Sequence, residues 1–288
     1  MSEGSVWLLG RSLLLVLSMI GMTTGFARAQ TPTAVEKLQQ EFTDPLTTLP
    51  QIFVKDVYSP ANYGTNAQSN VVVARAIIPR LPKYSLFPFI QLIRPTFQLV
   101  TTPTGKGSAT RTEFGDISLF DLAVLPWPGE GTGIKIGVGP TFVFPTATSK
   151  SAGQSAWQAG PAIGAVYTGL PWFVAGFLFQ NPVSFAYTSS ESRPVNTLQF
   201  QPVLLFHLWH GWYLRSADAT WICNWHSRSP TMIPLSVGIG RVVVRPGLPP
   251  LNFYVSGQWM AYRQFSPGAS QSSVTFGVTV AFPEYRKW

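Results

Sequence analysis

The chain of 288 residues carries 20 Lys and Arg against 12 Asp and Glu, a net +8, yet charged residues make up only 11% of it. Soluble domains carry about 25%, and with 45% hydrophobic and 14% aromatic residues this surface is poorly matched to water on every side. No apolar segment reaches the ~20 residues of a spanning helix. That excludes a helical membrane protein and leaves a membrane-spanning sheet.

Residues 1–29 read as a secretory signal peptide: Arg11 precedes the apolar run Leu13 to Met22, and Ala27-Arg28-Ala29 supplies an A-x-A cleavage site before Gln30. Cleavage removes Arg11, Arg28 and Glu3, leaving 18 basic and 11 acidic residues, a net +7. An exported chain of this composition is expected in the outer membrane of a Gram-negative bacterium, as a closed barrel inserted by the barrel assembly machinery and touching lipid and lipopolysaccharide. The positive balance has two readings, an anion-favouring pore or contacts with lipopolysaccharide phosphates and loop solvent; the second is the plainer.

Residues 30–51 form an N-terminal segment. Within it Ala34, Val35, Leu38 and Phe42 fall at helical spacing among Glu36, Lys37 and Glu41, predicting a short amphipathic helix over Thr33 to Phe42 that ends before Pro45. It is placed on the periplasmic side, with a plug inside the lumen as the alternative.

The barrel proper is assigned to 52–288. Runs rich in Val, Ile, Phe, Leu, Tyr and Trp alternate with Gly, Pro, Ser and Thr clusters and predict about twelve strands, at 52–58, 70–78, 86–100, 115–125, 133–144, 158–168, 172–187, 197–208, 212–225, 232–244, 251–264 and 272–282. The connections alternate between polar, mostly long segments (59–69, 101–114, 145–157, 188–196, 226–231, 265–271) and mostly shorter Pro/Gly-based ones. Long loops outside and tight turns inside, with an even strand count, are what an outer-membrane barrel requires.

Strand parity then assigns faces. Lys135 shares a face with Gly137, Gly139 and Thr141, opposite Ile134, Ile136 and Val138; Gln199, Gln201 and His207 oppose Leu198, Phe200, Leu204 and Phe206; Asn252, Tyr254 and Gln258 oppose Phe253, Val255 and Trp259. Arg94 lies with Thr96 and Gln98, and Arg75 joins the set mainly because lipid would penalise its charge. These nine side chains are the predicted pore lining. Asp116 and Asp121 have opposite parity, so a bulge intervenes or Asp116 sits at the rim; Arg241 falls on the apolar face and is expected to snorkel at the interface. Trp127, Trp172, Trp209 and Trp212 flank the short turns, as an aromatic girdle would. The lone Cys223 reads as a small buried or lipid-facing hydrophobe.

The sequence offers no recognisable catalytic constellation: the histidines are His207, His210 and His226, and no G-x-S-x-G element occurs. His207 and His210 lie three apart, on opposite faces of a strand, so no metal set is read there. The pairs Gly137/Gly139 and Gly238/Gly240 sit within strands and precede no helix, so no nucleotide or other cofactor is expected, and scattered basic residues do not suggest nucleic acid. In the last strand Val274, Phe276, Val278, Val280 and Phe282 share one face and Ser273, Thr275, Gly277, Thr279 and Ala281 the other. From Thr275 to Phe282 it resembles the C-terminal assembly signal of outer-membrane barrels.

Longer motifs carry a family resemblance. Gly137-Val138-Gly139-Pro140-Thr141-Phe142-Val143-Phe144-Pro145-Thr146-Ala147-Thr148, Trp157-Gln158-Ala159-Gly160-Pro161, Gly211-Trp212-Tyr213-Leu214-Arg215-Ser216, Ile233-Pro234-Leu235-Ser236-Val237-Gly238-Ile239-Gly240-Arg241-Val242 and Leu248-Pro249-Pro250-Leu251-Asn252 resemble the bacterial meta-pathway phenol-degradation family, whose members look like outer-membrane barrels. The resemblance spans roughly 114 to 282 and implies uptake of aromatic compounds, without implying catalytic residues. Relatives tend to have an acidic residue where this chain has Asn224.

Together these readings predict an all-β chain, a closed antiparallel transmembrane β-barrel of about 12 strands with a short N-terminal helix, that passes or binds a small solute and is not an enzyme. The alternative is a structural or adhesive barrel with a closed lumen; a barrel lipid hydrolase or acyltransferase is the least supported reading.

Overall fold

The computed structural model describes residues 32–80, 90–104, 109–126, 133–190, 192–225, 231–264 and 269–283. The signal peptide, Trp127, His226 and the segments 81–89 and 127–132 lie outside them. One helix, α1 (Pro32–Thr43), precedes fifteen strand segments: β1 (Gln51–Asn62), β2 (Ser69–Arg80), β3 (Ile90–Pro103), β4 (Thr110–Phe114), β5 (Ile117–Pro126), β6 (Ile134–Phe144), β7 (Ala156–Leu170), β8 (Phe173–Gln180), β9 (Val183–Tyr187), β10 (Thr197–His207), β11 (Trp212–Ser216), β12 (Trp221–Asn224), β13 (Thr231–Val243), β14 (Leu251–Arg263) and β15 (Ser270–Ala281).

Three staves of the barrel are broken in two. β4 and β5 both pair with β3, β8 and β9 both pair with β7, and β11 and β12 both pair with β10 and β13. The segments therefore form twelve antiparallel staves, and the first closes on the last through the register Ile52↔Val280 to Tyr58↔Val274.

Pairing partners share a face, so the register settles which way each residue points. Val274 and Val278 stand on the outer wall at 39% and 40% exposure, whereas Thr275 and Thr279 point inward and are buried. The outer wall continues through Ile52, Val54, Val138, Ile163, Leu204, Val237, Ile239 and Val255, all exposed apolar residues. At the end where the connections are short, Trp172 stacks on Phe206 at 6.4 Å and Arg241 lies 5.3 Å above the ring of Trp212 on the same outer face. There its aliphatic stem crosses apolar surface while the charge meets an aromatic face.

The polar connections differ from the sequence expectation in an instructive way. Residues 59–62, 69, 101–103 and 110–114 are strand: β1 runs to Asn62, β2 starts at Ser69, β3 ends at Pro103 and β4 starts at Thr110. Side chains there bond across the ladder, Asn62 Nδ2 to Ser69 Oγ at 3.0 Å and Thr101 to Thr112 hydroxyl at 2.8 Å, so polarity marks hairpins extended beyond an apolar belt rather than irregular loops. Asp116 lies in the break between β4 and β5, at the rim, where its carboxylate accepts the backbone N–H groups of Ala147 at 3.1 Å and Gln154 at 2.8 Å. Asp121, opposite Ile93 on the outer face, accepts from Gln91 Nε2 at 3.2 Å.

Past Thr43 the chain turns twice on its own side chains, Leu46 N–H donating to Asp44 Oδ1 at 2.8 Å and Leu49 N–H to Thr47 Oγ1 at 3.1 Å, before β1 begins. Phe42, Leu46 and Leu49 are buried in one cluster with Leu92, Leu122, Val166, Leu178, Leu205 and Val242, residues the register directs inward. These three side chains, from the segment expected on the periplasmic side or as a plug, thus pack against the inner wall.

The parity is directly testable. Val278→Arg, on the outer wall near mid-strand, should cost on the order of 2–4 kcal/mol and prevent assembly. Gln258→Arg, on the inner face opposite Ser236 and Ser273, should still yield a heat-modifiable folded barrel; equal assembly of both variants would overturn the assignment.

Candidate functional site in the lumen

All nine residues singled out from the sequence fall on the inner face by register, at three heights. Lys135 and His207 lie at the short-turn mouth, Asn252, Tyr254, Arg75, Arg94 and Gln201 further in, and Gln199 and Gln258 towards the other end. They are not one constellation. The structure brings Arg75, Arg94 and Tyr254 together with four residues that parity alone passed over: Lys55, Tyr213, Arg215 and Asp218.

These form a basic belt. Lys55 sits on β1 opposite Val73 and Gly277; Arg75 on β2 opposite Phe53 and Thr96; Arg94 on β3 opposite Phe120; Arg215 on β11 opposite Gly238. Each guanidinium rests on a ring: Arg94 is 3.7 Å from the centroid of Phe120, Arg215 3.6 Å from Tyr254 and Arg75 5.8 Å from Phe53. A ring face offers a cation partial compensation without cancelling its charge.

Glycines make this possible where large rings cross the wall. A Cβ at Gly277 would stand 2.0 Å from the ring of Tyr254, which lies flat across that strand and stacks on Phe53 at 6.2 Å; a Cβ at Gly240 would stand 2.4 Å from Tyr213. The glycine of the closing strand is therefore a floor for an aromatic side chain.

Among the described residues the carboxylate facing these cations is Asp218, in the break between β11 and β12. It accepts from Arg215 Nη2 at 3.3 Å, Ser256 Oγ at 2.7 Å and Tyr254 OH at 3.2 Å, with Lys55 Nζ at 3.7 Å. One anion stands against four cations. The Nε atoms of Arg75, Arg94 and Arg215 are buried without a hydrogen-bond partner, and Arg94 lies close enough to Arg75 to be repelled by it.

Nearer the short-turn mouth the wall meets the N-terminal segment. Lys135 Nζ donates to Asp44 Oδ2 at 2.5 Å, Gln39 Nε2 donates to the carbonyl of Trp212 at 2.9 Å, and His207 has Nε2 2.9 Å from Thr43 Oγ1 and Nδ1 2.9 Å from the carbonyl of Pro171. Of the remaining predicted residues, Asn252 Oδ1 accepts from Tyr213 OH at 2.7 Å and Gln201 Nε2 donates to the carbonyl of Ala217. Gln199 faces Gln180, and Gln258 faces Ser236.

At the opposite end Glu113 ties the 145–155 loop to β4. It accepts from Ser149 Oγ and, at 2.7 Å, from Ser151 Oγ, bonds that with Arg111 hold its carboxyl below the usual range. A cavity of about 360 Å³ opens there, lined by Lys150, Gln154, Ser155, Ser192, Arg193 and Asn224 among others.

No protein-family profile matches the chain, and no curated protein does. Among solved structures it is similar to an outer membrane channel from Pseudomonas putida F1, at 12% identity over 83% of this chain and 98% of that one, with a TM-score of 0.58. Matches to the KdgM porin (7% identity, 81% of this chain and 99% of that one, TM-score 0.46) and the NanC porin (11%, 80% and 98%, 0.47) also occur. The first likeness bears out the fold, a closed antiparallel barrel. The resemblance to the phenol-degradation family gains no support from these comparisons.

If Asp218 is the counter-ion of the belt, Asp218→Asn should destabilise the barrel by about 3 kcal/mol, the scale of leaving a buried cation without its partner. Urea unfolding of the purified barrel measures it; a shift indistinguishable from zero would mean water already neutralises the belt.

Proposed function

We propose that this chain is an outer-membrane channel for small solutes, exported by its signal peptide into a Gram-negative envelope, and that its lumen favours anions. The carrying observation is the belt of Lys55, Arg75, Arg94 and Arg215, faced among the described residues by the single carboxylate of Asp218. Four cations inside a low-dielectric wall produce a field that attracts anions and repels cations along the axis, far more strongly than the same charges on a loop. The solutes that fit are small carboxylates or phosphates. Aromatic acids belong to the class because the rings of Phe53, Phe120 and Tyr254 line the same belt and can stack a planar group beside the guanidinium that pairs with its carboxylate.

Planar-bilayer recordings in a salt gradient test the reading. The native channel should prefer chloride to potassium, less so as ionic strength rises. Arg94→Glu should lower the anion-to-cation permeability ratio by roughly tenfold at low salt, and an unchanged reversal potential in a conducting variant would remove the belt as the selectivity element.

A further inference from the structure

Gly137 and Gly164 are a cross-strand pair on the inner wall. A Cβ built on Gly137 would stand 3.1 Å from Leu46 Cδ2, and one on Gly164 only 3.0 Å from the same atom. Two strands thus present bare backbone at the point where one leucine of the N-terminal segment lies, and Leu122 closes the side of that seat, 3.3 Å from the Gly137 position. Leu49 is fully buried alongside, and Gln39, Thr43, Asp44 and Thr47 are buried as well.

The polar bonds that this segment's side chains make to the barrel end on its mouth. Asp44 pairs with Lys135, Thr43 meets His207 and Gln39 caps the Trp212 carbonyl. Apolar side chains fill the middle and specific polar groups ring the edge, which is the anatomy of a docked interface rather than of a strand end that happened to stop nearby.

We propose that Gln39–Leu49 is a plug seated on Gly137 and Gly164, and that the lumen conducts only when this segment withdraws. The inference rests on the channel reading above. Its ion pair is open to solvent on one side: the Lys135 side chain is 45% exposed and that of Asp44 3%, so salt reaches the cation and the pair can be broken without touching the barrel ladder. Withdrawal exposes Lys135 and His207 at the mouth and gives solutes access to the belt beyond.

Two readouts test this on the full mature chain, folded in detergent and in bilayers, in a Cys223→Ser background. The first is the reaction of Thr47→Cys with a bulky water-soluble maleimide. The thiol should be protected in the otherwise native barrel, and adding Asp44→Lys, which sets two ammonium groups against each other, should speed labelling several-fold. The second is conductance: Asp44→Lys should raise the open fraction, and the exchange Asp44→Lys with Lys135→Asp should restore both protection and closure. Gly164→Val, which removes the seat without altering charge, should act like Asp44→Lys. Thermal mobility on gels confirms that each barrel is folded.

Rapid labelling of Thr47→Cys without further change would overturn the plug whatever the conductance. Faster labelling by Asp44→Lys with no change in conductance would overturn its gating role. A barrel that never conducts, even when Thr47→Cys labels freely, would overturn the channel reading itself, and with it the gate.

Discussion

In hydrocarbon no backbone N–H or C=O can be left without a partner, because no water is there to replace the missing bond. Everything in this chain follows from meeting that condition with strands. The first stave must pair with the last, and it does so along β1 and β15, so the sheet has no free edge. Closure then removes choice: alternate residues face lipid or lumen, and a slip of one residue would turn the apolar face of Val274, Val278 and Val280 inwards. The small residues of β15 are placed by the same constraint, since Gly277 must leave room for Tyr254 crossing from β14.

A ring of twelve staves encloses more space than its inward side chains alone need to fill. Here two fillings share the axis. Nearer one mouth the space is taken by Phe42, Leu46 and Leu49 against an apolar inner wall; further in it is taken by long cationic side chains lying on rings, with Asp218 among them. The inner wall is accordingly not uniformly polar. Leu92, Leu122, Val166, Leu178 and Leu205 are inward and buried, and they occur where the N-terminal segment needs a dry counterpart.

The strands were legible because period-2 alternation is a strong signal over ten residues, and because staves whose outer face must meet lipid cannot blur it. Three features carried no such signal. The breaks at Asn181-Pro182 and at Ala217–Thr220 divide staves without changing their course, so local pattern treats them as ordinary strand or loop, whereas the break at Asp116 is betrayed by its parity clash with Asp121. Lys55 and Asp56 are adjacent and therefore on opposite faces, and alternation cannot say which charge goes in; the register sends Lys55 to the lumen and leaves Asp56 outside, bonded to Asn70 Nδ2 at 2.5 Å. Asp218 was invisible because its partners come from three other elements. The N-terminal segment is too short for its amphipathicity to choose between the periplasmic side and the lumen. What decides is distant: the glycine pair at 137 and 164, which parity could read only as small residues on an inward face.

On the proposed reading, the axial distribution of charge separates closing from selecting. At the mouth Lys135 is matched by Asp44, so the seated segment leaves little net charge there. Deeper in, Lys55, Arg75, Arg94 and Arg215 outnumber their anion. A structural role alone gives no reason to keep that excess, because well-packed apolar residues of similar size fill a buried site at no greater cost and often more stably. Ring faces lessen the penalty for the guanidinium groups without neutralising them, and that arrangement suits charges that must stay available to something passing. The two devices also draw on different bonds: the segment is held by Lys135, His207, the Trp212 carbonyl and the glycine seat, the belt by Asp218 and the aromatic rings. A change in one therefore leaves the other standing, and a solute would meet the field of the belt only after the segment has gone.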